Sequence, residues 1–150
     1  METAREALRR APDDTYALSL IEECLLLSGA GREAARVLRE AARAHADLKQ
    51  RELALLAAGA AAEAAGEIQT AARSYEEAAE VDAGSLAPRW ALRRLAERTG
   101  ERALFVHALE RLAEHEGRGG ESGLSCLELG ELRARGRGVR GLTRARWQPR

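Results

Sequence analysis

Three glycines, Gly29, Gly66 and Gly100, stand 37 and 34 residues apart, and each sits at the centre of the same apolar pattern. Four residues before them lie Leu25, Ala62 and Ala96, and eight before lie Ile21, Ala58 and Leu92. That recurrence traces one face of an α-helix. Five residues after the glycines come Ala34, Ala71 and Phe105; nine after, Leu38, Tyr75 and Leu109; twelve after, Ala41, Ala78 and Leu112. These trace a second helix. Glycine reaches the left-handed conformation that ends one helix and turns the chain back within a few residues. A short turn makes neighbouring helices antiparallel, so the chain is expected to be an all-α series of antiparallel helical hairpins.

Composition agrees with hairpins packed through small side chains. Hydrophobic residues make up 45% of the chain but aromatics only 3%, and Ala and Leu favour helix where strands would call for Val, Ile and aromatics. A chain of this length buries about 70% of its unfolded surface, so no staple is required. Cys24 and Cys126 stand far apart with no CxxC, which argues against a disulfide framework or a zinc site and for a reducing compartment. The amino terminus lacks the apolar run of a signal peptide, and no stretch reaches the roughly 18 apolar residues of a membrane span. The expectation is a soluble cytoplasmic protein with no membrane association.

The second unit, with Leu55, Ala58, Gly59, Ala62, Gly66, Ala71, Tyr75 and Ala78, resembles a tetratricopeptide repeat, a two-helix unit of about 34 residues. The resemblance runs from residue 15 to about residue 116, in a degenerate array of bacterial type. It implies hairpins stacked in a right-handed solenoid whose first helices line a concave groove. The units expected are a half-repeat helix or cap at 1–14, repeats at 15–48, 52–85 and 86–116, a Gly-rich linker at 117–123, and a degenerate fourth repeat at 124–150. Gly59 and Ala71 let two helices approach closely. Glu22 and Arg93 stand in Gly59's place in the outer units, and Phe105 stands where Ala34 and Ala71 do. Those hairpins are expected to splay.

Both ends look unfinished in the sequence. Ala7 and Pro12 fall where a preceding second helix would close, so the first helix is either the polar cap a solenoid needs or, as we prefer, part of a longer array. In the fourth unit Leu129, Gly130 and Gly136 hold repeat positions, whereas Gly138 and Gly141 fall within the would-be second helix. Each costs about 1 kcal/mol there against Ala, and that helix is expected to fray.

Function is expected in the groove, where a protein or peptide partner would bind without catalysis. The resemblance places Tyr16, Ser19, Glu23 and Leu26 there from the first unit, Leu53, Leu56, Ala60 and Glu63 from the second, and Trp90, Arg94 and Glu97 from the third. Trp90 lies ten residues before its glycine, and Leu18 and Leu55 lie eleven before theirs. A one-residue slip after Pro88 would make Trp90 core; without it Trp90 faces the groove. The lysine and asparagine clamp by which some members of the family hold a terminal carboxylate is missing, because the chain has one lysine, Lys49, and no asparagine. Exposed solenoid ends offer a route to a homo-oligomer.

Charge supplies the alternative. The chain is neutral, 24 basic residues against 24 acidic, but from Arg133 onward there are seven arginines and no acidic residue. Arg133, Arg135, Arg137, Arg140, Arg144 and Arg146, with Trp147 to stack a base, could bind nucleic acid or another polyanion. The same segment also reads as a solvated low-complexity terminus, or as one that pairs with the acidic repeats of a neighbouring copy. No catalytic residue, cofactor or metal site is expected. His45, His107 and His115 are scattered, Cys24 sits in an apolar helix where a thiol is inert, and neither GxxxxGK[ST] nor HExxH occurs. Adjacent carboxylates such as Glu22 with Glu23 and Glu76 with Glu77 point apart on a helix.

Overall fold

The computed structural model describes Glu23, residues 29–119 and residues 124–137. All elements among the described residues are α-helices: α1 (Gly31–Ala44), α2 (Leu48–Ala64), α3 (Ile68–Val81), α4 (Ala87–Thr99), α5 (Arg102–Gly119) and α6 (Leu124–Arg137). The half-repeat at 1–14, the candidate residues Tyr16, Ser19, Cys24 and Leu26, and Arg140, Arg144 and Arg146 lie outside the described residues. The chain divides into two compact units, Met1–Asp82 and Ala83–Arg150. In the first, α1 packs on α2 and α2 on α3; in the second, α4 packs on α5 and α5 on α6.

The three repeat glycines do what the pattern asked of them. Gly29, Gly66 and Gly100 have φ of 71°, 74° and 65°, and a Cβ built on any of them meets nothing within 4 Å. Glycine is needed there for its backbone freedom and not for space. After α2 the turn closes as a Schellman motif, with the Glu67 amide donating to Ala62 O and the Gly66 amide to Glu63 O, so carbonyls that the helix end leaves open are satisfied.

Of the positions nominated for the core, Ala34, Leu38, Ala41, Ala58, Ala62, Ala71, Tyr75, Ala78, Leu92, Ala96, Leu109 and Leu112 are buried, and Ile21 and Leu25 lie outside the described residues. Because so many of the buried ones are alanine, α1, α2 and α3 pack through small side chains, with Leu55, Leu56 and Val81 clustered about Ala54 and Ala78 and the larger Tyr75 ring set against Gly59. Tyr75 is buried, and a Cβ on Gly59 would fall 2.3 Å from its Cε1. The ring therefore lies against the bare backbone of Gly59. Its hydroxyl donates to Glu63 Oε2 at 2.8 Å, which meets the need of a buried phenol for a partner.

In the third repeat Arg93 stands in Gly59's place. Its guanidinium lies 5.3 Å from the centre of the Trp90 ring and 6.0 Å from that of Phe105, within cation–π range of both. Arg93 also pairs with Glu97 at 2.9 Å and with Glu128 of α6 at 3.1 Å. Phe105 is half-buried, whereas Ala34 and Ala71, its counterparts, are fully buried.

Boundaries differ from expectation in three places. The first helix of the second repeat starts at Leu48 and not at residue 52, because the Asp47 side chain accepts a hydrogen bond from the Lys49 amide at 2.8 Å and so caps the helix early. The linker expected from residue 117 is helical as far as Gly119. A helix already formed gains a hydrogen bond with each added residue, which outweighs the glycine cost. Gly136 lies inside α6 and is not among the left-handed glycines of the described residues; glycine permits that turn without compelling it.

The glycine–tyrosine contact can be tested by a change of sign. Gly59→Ala gains about 1 kcal/mol in helix propensity but displaces a ring held at its far end by Glu63, and overpacking costs roughly 1–3 kcal/mol. Urea unfolding should show Gly59→Ala as destabilising in the natural chain and stabilising by about 1 kcal/mol in a Tyr75→Val background. An equal loss in both backgrounds would show that Tyr75 is not the reason for the glycine.

Candidate functional site

Helix α2 carries apolar residues on nearly all its faces, in the run Leu53 to Ala62, a pattern ordinarily found in helices buried all round. It is not buried all round. Leu53 is 47% exposed and Ala60 is exposed. Leu56, between them, is half-buried and packs against Ala42, Ala54, Leu55 and Ala78. Residues at spacings of three, four and seven share one helix face, so Leu53, Leu56 and Ala60 form an apolar stripe with its two ends open to solvent. Glu63, also expected on this face, is buried and holds Tyr75.

On α4 the register shows no slip after Pro88. Arg89 takes the position that Leu55 holds in the second unit, eleven residues before the glycine, and is buried, its guanidinium donating to Ser85 O. Burying an arginine there leaves Trp90 on the surface at 49% exposure, with Leu86 one turn earlier at 42%. Arg94 and Glu97 are exposed on the same helix, and Glu97 is engaged by Arg93. Glu23 is helical and exposed. Arg133, Arg135 and Arg137 lie on the last turns of α6.

Ion pairs follow the repeat. Arg32 pairs with Glu67 and Arg39 with Glu77, joining α1 to α3 across 35 and 38 residues. Arg93 and Glu128 join α4 to α6 across 35. Equivalent helices of successive units thus meet through residues one period apart, a signal present in the sequence as Arg and Glu at that spacing. Lys49 is committed as well. Its Nζ lies 2.7 Å from Oε2 of Glu52, whose side chain is fully buried. The hydrogen bond to Glu52, aided by the charges of Glu52 and Asp82, raises the Lys49 pKa above its ordinary 10.5 against a smaller opposing effect of desolvation.

A cleft of about 380 Å³ opens among the carboxyl ends of α1 and α3 and the amino end of α2. Ala42, Leu48, Leu55 and Val81 supply its apolar lining; Arg43, Arg51, Glu77 and Glu80 supply its charges. Sequence periodicity did not point to it. Of the histidines, His45 is buried and His115 places Nε2 3.2 Å from the Gly84 carbonyl oxygen. Among the described residues no three His, Cys, Asp or Glu side chains gather as they would around a metal ion, and no helix is long and apolar enough to cross a membrane.

The raised Lys49 pKa sets a pH dependence. A lysine that titrates higher when folded stabilises the fold fully below its unfolded value, and the contribution is lost as pH climbs through the folded one. The difference in urea midpoint between the natural chain and Lys49→Met should hold steady from neutral pH to near 10.5 and shrink above it. A difference that stays constant into strong alkali would show that the ammonium contributes nothing. No family model, characterised protein or solved structure matches the chain.

Proposed function

We propose that this chain is a non-catalytic protein-interaction module of tetratricopeptide type. Its hairpins stack in a right-handed solenoid, and their first helices present an apolar face to a peptide or partner protein in the cytoplasm. The observation that carries the reading is the exposure of large apolar side chains on the first helices of the second and third repeats. Leu53 on α2 and Trp90 on α4 stand at the positions the repeat assigns to the groove. Left-handed glycines at the repeat spacing, the seating of Tyr75 on Gly59 and ion pairs one period apart all support the repeat itself.

A half-exposed tryptophan beside an arginine is the composition of a binding hot spot. Arg94 and Glu97 would select among partners by charge. The apolar stripe on α2 would supply affinity through burial of area, with Leu56 serving both the stripe and the core. Open solenoid ends would let further copies of the chain stack. Leu53→Gln should shift stability by no more than about 0.5 kcal/mol, and Trp90→Gln, which also loses the contact with Arg93, by about 1 kcal/mol. They should weaken partner capture by roughly 30-fold, the loss of a hot-spot side chain. Undiminished capture by a folded double variant would reject this face.

Seven arginines without an acidic residue from Arg133 onward favour a second reading, polyanion binding. Truncation before Arg133 should then abolish RNA affinity, and in the full chain the logarithm of affinity should fall linearly with the logarithm of salt concentration. Affinity that survives truncation, or that ignores salt, contradicts it.

A further inference from the structure

Two of the charges around the cleft at one end of α1, α2 and α3, Arg51 and Glu80, run against the helices that carry them, whereas Arg43 in the last turn of α1 suits its own helix end. A helix end is stabilised by acidic residues at its amino terminus and basic residues at its carboxyl terminus. The first turn of α2 holds no acidic residue and carries Lys49 and Arg51; the last turn of α3 holds no basic residue and carries Glu80. Lys49 is compensated by Glu52 and Glu77 by Arg39. Among the described residues, Arg43, Arg51 and Glu80 make no ion pair, and all three are exposed on the cleft. Local helix stability therefore does not account for Arg51 or Glu80.

Their arrangement does have a complement. Basic residues come from the junction of α1 and α2, acidic ones from α3, and between them lies an apolar lining of Ala42, Leu55 and Val81. Leu48, also on the cleft, is 61% exposed. A two-fold axis over such a patch sets the basic side of one copy against the acidic side of the other, twice, and offers each Leu48 to the apolar lining opposite. In a two-fold contact the same patch serves both partners and must be complementary to itself. A peptide would need both signs in the mirrored order to do as well; a second copy has them by construction.

We propose that this cleft is taken by a second copy of the chain in a reciprocal two-fold contact, with Arg51 of each copy facing Glu80 of the other and Leu48 entering the opposing cleft. Neither Leu53 nor Trp90 lines the cleft, so the proposal is tested independently of the partner-binding reading. Arg43 adds to the basic side. The contact is electrostatically selected, so salt weakens it.

The test uses the full chain in sedimentation equilibrium between about 1 and about 200 µM, the range of weak dimers. The natural chain should dimerise. Arg51→Glu and Glu80→Arg should each weaken dimerisation by about tenfold or more through like-charge contact. Each reversal supplies the charge its helix end favours, so thermal melts should show the fold kept or slightly strengthened. The equimolar mixture of the two variants, and the double variant R51E/E80R, should recover affinity to within about threefold of the natural chain, since both restore two opposite-sign contacts. A natural chain that stays monomeric throughout, a dimer indifferent to either reversal, or a loss that neither mixing nor the double variant repairs would each overturn the proposal.

Discussion

The packing of the second hairpin depends on a tyrosine ring resting on a glycine. With Gly59 at the contact, the Tyr75 ring lies against the backbone of α2, in space that a side chain at residue 59 would occupy. Dense packing of this kind leaves little tolerance for added volume. It also obliges the phenol to find a partner at its far end, and Glu63 is drawn into the interior to supply it. One glycine thus determines both how closely two helices approach and why a carboxylate is buried between them.

The third repeat solves the same problem with different chemistry. Arg93 cannot vacate space as glycine does, so the helix pair is bridged by a guanidinium over Trp90 and Phe105. The planar cation suits this role because it stacks on aromatic faces and still donates to Glu97 and Glu128 at its edges. Packing and function are linked here: Arg89 takes the core position, Trp90 is left at the surface, and Arg93 braces one side of its ring. A braced aromatic loses less freedom on binding than a loose one, which suits Trp90 to the partner-binding role proposed for it.

Charge does two distinct jobs in the structure. Arginine and glutamate one period apart tie equivalent helices together on partly exposed faces, where single pairs contribute little but repetition specifies register. Around the cleft Arg51 and Glu80 oppose their own helix dipoles and make no ion pair among the described residues. The first set explains how hairpins find their neighbours. The second draws attention to a surface that the repeat pattern alone would pass over.

Helix class, the turns at Gly29, Gly66 and Gly100, the core stripe and the role of Gly59 were all legible in the sequence, because each depends on spacing, and spacing along a helix maps directly onto its faces. Leu53 was legible for the same reason, whereas spacing left Trp90 open between core and surface and only the folded helix decided it. Tertiary structure alone decided where long polar side chains ended. Glu63 and Arg89 sit at positions that periodicity assigns to an open face or to an apolar core, and both are buried because a neighbour, the Tyr75 hydroxyl or the Ser85 carbonyl, satisfies them. The extension of α5 to Gly119, the bond between Lys49 and buried Glu52, and the cleft around Leu48 are likewise products of assembly. A helical period states which way a side chain leaves the backbone; whether a charged end can remain buried depends on partners that only the folded chain brings within reach.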